Sequence, residues 1–153
     1  YRMLGKDPNR YRISAEAMTR RIIKGNSLYH INTIVDTLNL VSLKSGVTIG
    51  GFDSNLISGS ISLGIGSENE EFEAIGRGEL NIHRLPVYRD SMGAIGSPTS
   101  DSTRTMIKPE TAKFLMLITD FFNESFIEPV IGDLKINLAK YAHGTDFKEL
   151  IIS

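Results

Sequence analysis

The period of the hydrophobic residues changes near Gly46, and this change constrains the fold more than any other feature of the sequence. Between residues 31 and 45, apolar side chains recur at the spacing of one helical face, and Gly46 follows as a helix-ending residue. Between residues 61 and 65 they alternate with Ser62 and Gly64, as in a half-buried strand. We therefore predict an α+β fold, in which a barrel-like mixed β core is flanked by N-terminal and C-terminal helices.

A first helix is predicted before this change of period, and short strands are predicted after it. Ser14 is a candidate N-cap for a helix over residues 15–24, which Gly25 would end. After residue 65, short apolar segments between glycine-rich breaks predict further strands as far as residue 88. This region therefore supplies the predicted β core.

The C-terminal third of the chain is predicted to be mainly helical. Pro109 at a first helical position predicts a helix that runs to about Phe122. The spacing of apolar residues predicts another helix over residues 125–143. Residues 147–152 are expected to form a last strand that returns to the sheet.

Length and composition restrict the classes of protein to which the chain can belong. Its 153 residues, 41% of them hydrophobic, indicate one domain over residues 1–153 with a real core. A formal net charge of -1 argues against general attraction to phosphate, so any nucleic-acid contact needs a local patch. The absence of cysteine excludes disulfides and thiolate chemistry, and no apolar segment is long enough to span a membrane, so we expect a cytoplasmic location.

A polar stripe lies on the predicted second helix. Asn32, Asp36 and Asn39 are separated by four and three residues, which places them on one helical face among apolar neighbours. The stripe is either a solvated or hydrogen-bonded surface, or the lining of a site, and Asn39 is the main candidate for a binding residue.

Gly50 and Gly51 follow the short apolar segment 47–49. Two missing side chains allow a ligand to approach the backbone closely, but the same pair is common in an ordinary tight turn. The neighbouring residues match neither a phosphate-binding loop nor a dinucleotide fingerprint. We predict a turn at this pair and keep both explanations open.

The loop between residues 97 and 105 is rich in hydroxyl groups around one acid and one arginine. Ser97, Ser100, Asp101 and Arg104 suit either a self-hydrogen-bonded turn or a contact with ribose and phosphate. The sequence contains no Gly-x-Ser-x-Gly motif, so a nucleophilic serine is not predicted. The three histidines lie in separate elements without ligand spacing, and we predict neither a metal nor a cofactor.

Two of these segments together resemble a known domain. Residues 34–39, which contain Asp36 and Asn39, are followed by residues 46–53 with Gly50-Gly51-Phe52-Asp53, and this order resembles the editing domain of the bacterial phenylalanyl-tRNA synthetase β subunit. Residues 101–105, together with Asp7-Pro8 before residues 10–12, resemble free-standing relatives of that domain. The resemblance covers roughly residues 7–122.

The resemblance implies a domain that accepts the 3′ end of a mischarged tRNA and lets water hydrolyse the aminoacyl ester. It implies an aminoacyl-tRNA deacylase, or part of a phenylalanine–tRNA ligase, with Gly50 at the position of a histidine in the synthetase. A non-catalytic module that binds a free amino acid or a protein partner is the alternative. A synthetase core or self-association is a further partner to consider. The residues expected around one substrate pocket are Leu38, Asn39, Gly50, Gly51, Ser97, Ser100, Asp101 and Arg104.

Positive charge is concentrated in the first 24 residues. These basic side chains either contact a tRNA backbone or form a solvated helix face. A segment between residues 68 and 73 carries the opposite charge, so the molecule is expected to be dipolar. The residues expected to contact the tRNA backbone are Arg10, Arg12, Arg20, Arg21 and Lys24.

Overall fold

The structure is a computed structural model that describes residues 1–121 and 126–152. Within these residues there are three α-helices and eight β-strands. The helices are α1 (Ser14–Ile23), α2 (Thr33–Ser45) and α3 (Ile127–Ala142). The strands are β1 (Thr48–Asp53), β2 (Ser62–Ile65), β3 (Glu73–Ala74), β4 (Gly78–Glu79), β5 (Pro86–Asp90), β6 (Gly93–Ser97), β7 (Ser100–Asp101) and β8 (Phe114–Thr119).

The strands form three antiparallel sheets. β1 pairs with β8, the strands β2, β5, β6 and β7 form a second sheet in that order, and β3 pairs with β4. The predicted α+β class is confirmed. The described strands do not close into a barrel, because β1 and β8 share no ladder with the four-stranded sheet and its outer strands remain edges.

The two predicted N-terminal helices are confirmed, with differences at their first residues. α1 begins at Ser14 itself, so the N-cap is Ile13 and the predicted Ser14 cap is wrong. No side chain caps this helix, and the backbone N–H of Ser14 donates to Pro98 O at 2.8 Å. α2 begins at Thr33, because Asn32 is its N-cap and accepts a hydrogen bond from Val35 N at 3.0 Å. Gly46 ends α2 in the left-handed conformation, as predicted.

The predicted helix from Pro109 to Phe122 is wrong, since its described part contains strand β8. β8 is apolar from Phe114 to Ile118 and half-buried along its whole length, so it satisfies helical spacing and a buried strand equally well. Its pairing with all six residues of β1 decides between them. Phe122, where that helix was expected to end, lies outside the described residues.

The last two C-terminal predictions have opposite outcomes. The helix predicted over residues 125–143 is confirmed as α3, although Ser125 lies outside the described residues. The strand predicted over residues 147–152 is wrong, because that segment pairs with none of the described strands. Its apolar side chains are left in solvent, with Leu150 82% and Ile152 84% exposed.

Two clusters of buried apolar side chains hold these elements together. The larger lies between α2, α3 and the β1–β8 sheet, and the smaller lies against the four-stranded sheet. The larger contains Leu38, Val41, Ile49, Ile107, Val130, Leu134 and Leu138, and the smaller contains Phe72, Ala74, Ile82, Leu85, Val87 and Ala94. β1 therefore lies against the main core while its other face remains available to the four-stranded sheet.

Candidate functional site

Gly50 and Gly51 lie inside β1, so the turn predicted for this pair is wrong. Because successive residues of a strand face opposite sides, the two glycines have different surroundings. A Cβ atom at Gly51 would lie 2.6 Å from Leu38 Cδ2 and 3.0 Å from Ile107 Cδ1. The missing side chain at Gly51 therefore lets α2 pack closely on β1.

Gly50 faces the other way, toward the four-stranded sheet. A Cβ atom at Gly50 would lie 3.0 Å from Asp101 Oδ1 and 3.0 Å from the ring of Phe52. A Cβ atom at Gly96 would meet the same two groups, at 3.0 Å from Asp101 Oδ1 and 2.7 Å from Phe52 Cζ. The carboxyl of Asp101 thus lies between two glycines above a fully buried aromatic ring. We call Gly50, Gly96 and Asp101 the glycine–aspartate site.

The register of the sheet places a tyrosine beside this site. Tyr88 of β5 lies opposite Gly96 of β6, and Gly96 lies opposite Asp101 of β7. Residues that are opposite in neighbouring strands share one face of the sheet, so the three form a row. The hydroxyl of Tyr88 is 2.6 Å from Thr119 Oγ1 on β8, which ties this row to the other sheet.

The carboxyl of Asp101 has little stabilisation as an anion. Burial raises its pKa to about 7, although Gly51 N–H donates a hydrogen bond to Oδ2 at 3.0 Å and opposes the rise. Burial also raises the pKa of Tyr88; its hydrogen bond with Thr119 opposes this rise and the nearby charge of Asp101 adds to it. A carboxyl with this pKa exchanges its proton near neutral pH, which suits general acid–base chemistry.

Ser97 and Ser100 form a hairpin turn that is closed by its own hydrogen bonds. The buried Ser97 hydroxyl accepts from Thr99 N at 3.2 Å and from Ser100 N at 3.3 Å, and donates to Ser100 O at 3.3 Å. The Ser100 hydroxyl donates to Asp101 O at 3.4 Å. These contacts agree with the self-hydrogen-bonded alternative and fix the position of β7, which carries Asp101.

Arg104 is directed at a different acid. Its guanidinium forms a forked ion pair with Asp90, with N–O distances of 2.7 and 3.1 Å. Burial alone would raise the pKa of Asp90, but hydrogen bonds from Arg104 and from the backbone N–H groups of Ser58 and Met92 outweigh burial and lower the pKa to about 2. The Arg104 side chain therefore holds the β5–β6 hairpin rather than lying in the glycine–aspartate site.

The members of the predicted polar stripe have different functions in the structure. Asn32 caps α2 and also donates to Ile107 O at 3.3 Å, while Asp36 accepts a hydrogen bond from Ile31 N at 2.9 Å. Asn39 is half-buried, and its side chain forms no hydrogen bond within the described part of the chain. Within the stripe, Asn39 is therefore the member whose whole side-chain amide is left for a ligand.

The structure thus brings part of the predicted pocket together. Gly50, Gly51 and Asp101 meet at β1, and Leu38 touches Gly51 from the core side. Tyr88 and Gly96 were missed, since nothing local distinguishes them from other strand residues. Only the register between β5, β6 and β7 brings them beside Asp101.

A second feature is a cavity of about 360 Å³ with a strongly basic wall, which we call the basic cavity. Its lining includes all five residues that were expected to contact a tRNA backbone, together with an arginine from the turn between β3 and β4. The lining residues are Arg10, Arg12, Ala17, Arg20, Arg21, Lys24, Asn26 and Arg77.

Metal-binding clusters and membrane-spanning helices are both absent from the described residues. No group of three or more His, Cys, Asp or Glu side chains there is arranged to hold a metal ion. None of the helices within residues 1–121 and 126–152 combines the length and the apolar character that a membrane span requires.

Comparison with known proteins identifies one family. A family model described as the B3/4 domain matches residues 1–149, which is nearly the whole chain. No curated protein matches the chain significantly.

Proposed function

We propose a function from one premise: the chain belongs to the B3/4 domain family, the domain found in the phenylalanyl-tRNA synthetase β subunit. On that premise, the chain binds the aminoacylated 3′ end of a tRNA at the glycine–aspartate site and hydrolyses the aminoacyl ester. The observation that supports this choice is the carboxyl of Asp101, which lies between two glycines and has a pKa of about 7.

The reaction needs little from the protein beyond position and one proton acceptor. A water molecule held by the Asp101 carboxylate attacks the ester carbonyl, the carboxylate takes the proton, and the carbon–oxygen bond to the ribose breaks. Asp101 gives that proton to the departing ribose oxygen, and a free amino acid and a deacylated tRNA remain. An aminoacyl ester is already activated, so orientation of water supplies much of the rate.

The two glycines make room for the Asp101 carboxyl beside the ring of Phe52, which places a carboxyl with a raised pKa at this position. Asp101 as a residue is half-buried while its carboxyl is buried, so the proposed reaction requires a water molecule and the ester to enter beside it. Tyr88 lies in the same row as the Asp101 carboxyl, and the basic cavity offers positive charge for the RNA. A cytoplasmic location is part of the same proposal.

The test is deacylation of mischarged tRNA by the purified chain, with the rate in buffer subtracted at each pH. We expect turnover that rises through pH 7, where half of the Asp101 carboxyls have lost their proton, and levels off about one pH unit higher. Asp101→Asn should lower the rate by about a hundredfold, the usual contribution of one general base. Asp146→Asn is the matched control, because Asp146 is exposed and far along the chain from β7.

The outcomes separate the proposed activity from binding alone. No turnover above buffer with any mischarged tRNA would exclude the hydrolase. If a free amino acid then raised the melting temperature and tRNA did not, the non-catalytic alternative would take its place.

A further inference from the structure

Three separate segments of the chain place cations around the basic cavity. Arg10 and Arg12 precede α1, Arg20, Arg21 and Lys24 follow along α1 and its end, and Arg77 reaches in from the turn between β3 and β4. The whole chain has a net charge of only -1, so this is a local concentration of six positive charges. A protein pays electrostatic repulsion to hold such a cluster, and an anion relieves it.

Few acidic side chains neutralise the positive charge of the basic cavity. Among the described residues, Glu16 is the acid that pairs with it, at 2.7 Å from Arg20 Nε and 3.7 Å from Arg12 Nε. The Nε of Arg12 is buried and has no hydrogen-bond partner. No described acid pairs with Arg10, Lys24 or Arg77. The remaining cations thus have unused donors.

One of the arginines is held in place before any ligand arrives. Arg21 Nε donates to Ser27 O at 2.6 Å, and its guanidinium lies 4.0 Å from the centre of the Tyr29 ring. Both contacts restrict the guanidinium and leave its terminal N–H groups available. Pre-oriented guanidinium groups lose less entropy when they bind a phosphoryl group.

The shape of the cavity favours the end of a phosphorylated molecule over a continuous chain. Its volume of about 360 Å³ is that of a small-ligand site, and its cations come from three segments of the chain. A terminal phosphate carries nearly two negative charges at neutral pH and has three exposed oxygens. A phosphodiester carries one charge, and its two ends must leave the cavity. A cluster of six cations therefore gains more from the higher charge of a phosphomonoester.

The basic cavity is connected to the glycine–aspartate site through one short hairpin. Ile75 N, two residues before Arg77, donates to Asp101 O at 3.0 Å, and Ala74 forms a bridge with Ser102. In a tRNA, the 5′-phosphate and the aminoacylated 3′ end lie at the same end of one helix. The hairpin that carries Arg77 is therefore bonded directly to the strand that carries Asp101, so one RNA end could contact both sites.

From these observations we infer that the basic cavity is a binding site for a phosphomonoester, namely the 5′-terminal phosphate of the RNA whose 3′ end lies at the glycine–aspartate site. The choice of RNA as the source rests on the proposed function, whereas the phosphomonoester chemistry rests on the cavity alone. Arg77 is the residue that distinguishes this cavity from a simple basic helix face.

The experiment compares one RNA hairpin with a 5′-phosphate and the same hairpin with a 5′-hydroxyl, by fluorescence anisotropy with the full chain. We expect about tenfold tighter binding of the phosphorylated form, with the difference decreasing below about pH 6 as the phosphate gains a proton. Arg77→Gln should remove the difference, and Arg2→Gln, which also removes one charge but lies outside the cavity, should retain it. Arg77 is exposed, and melting temperatures verify that each variant folds.

Two further measurements are the melting temperature in the presence of inorganic phosphate and the deacylation rate. If phosphate raises the melting temperature of the wild-type chain but not of Arg77→Gln, and the two RNAs bind equally, the phosphomonoester comes from a small molecule. Equal binding of both RNAs without stabilisation by phosphate would overturn the inference. If the wild-type chain showed no deacylation but still preferred the 5′-phosphorylated RNA, the proposed reaction would be refuted. The inference that the basic cavity binds a phosphomonoester would stand.

Discussion

Replacement of Asp101 by Asn should make the stability of the protein less dependent on pH. The amide has nearly the same shape as a protonated carboxyl and still accepts the hydrogen bond from Gly51 N–H, but it does not titrate. In the wild type, the folded state prefers the protonated carboxyl, because burial raises its pKa from 3.8 to about 7. The folded protein therefore has its full stability from this group below pH 3.8 and loses it as pH rises to about 7.

The size of this effect follows from the two pKa values. One unit of difference between folded and unfolded pKa corresponds to about 1.4 kcal/mol, so a rise from 3.8 to about 7 costs the folded state about 4 kcal/mol at high pH. About 2.5 kcal/mol of that loss falls between pH 5 and pH 8, which is a range where many domains remain folded.

Urea unfolding at pH 5, 6, 7 and 8 measures this loss. We expect the free energy of unfolding of Asp101→Asn, minus that of the wild type, to increase by about 2.5 kcal/mol over this range. Asp146→Asn, the same change at an exposed position, provides the baseline. If the Asp101→Asn difference varied by less than about 0.5 kcal/mol, the carboxyl would titrate as in the unfolded chain and the reasoning would fail.

Three further substitutions test the packing and the ion pairing in other parts of the fold. Gly66→Ala should destabilise by about 3 kcal/mol or more in urea unfolding, because its methyl group would overlap the carbonyl of Ile82; a loss below 1 kcal/mol would contradict this. Gly132→Ala should stabilise by about 1 kcal/mol, since nothing lies within 4 Å of the added atom in this helix, and a lower melting temperature would refute it. Arg104→Met should lower the free energy of unfolding by about 3 kcal/mol at pH 7, because the Asp90 side chain, which has no exposed surface, loses its ion pair. An unchanged urea midpoint would show that the ion pair is not needed for stability.

The three helices could be predicted because their signals are local. α2 and α3 each place their apolar residues on one face, and Gly46 ends α2 at the predicted residue. The first residues of the helices were less predictable. α1 begins one residue early, because a backbone hydrogen bond to Pro98, far along the chain, secures Ser14.

The errors in the C-terminal region have one physical cause. An apolar segment such as β8 satisfies helical spacing and a buried strand equally well, and only its neighbour β1 decides which forms. The prediction of a final strand over residues 147–152 is wrong because a neighbouring strand is missing among the described residues. The composition of this segment suits a strand, but no described strand pairs with it.

The sequence by itself determined the α+β class, the family and the residues that supply charge. Helical period, glycine positions and motif order are properties of neighbouring residues, so they can be read along the chain. Tertiary structure alone decided that Gly50 faces Asp101 while Gly51 faces the core, and that Arg77 completes the basic cavity. Those facts depend on strand register and on hairpin position, because contacts between distant residues have no signature in either residue's local sequence.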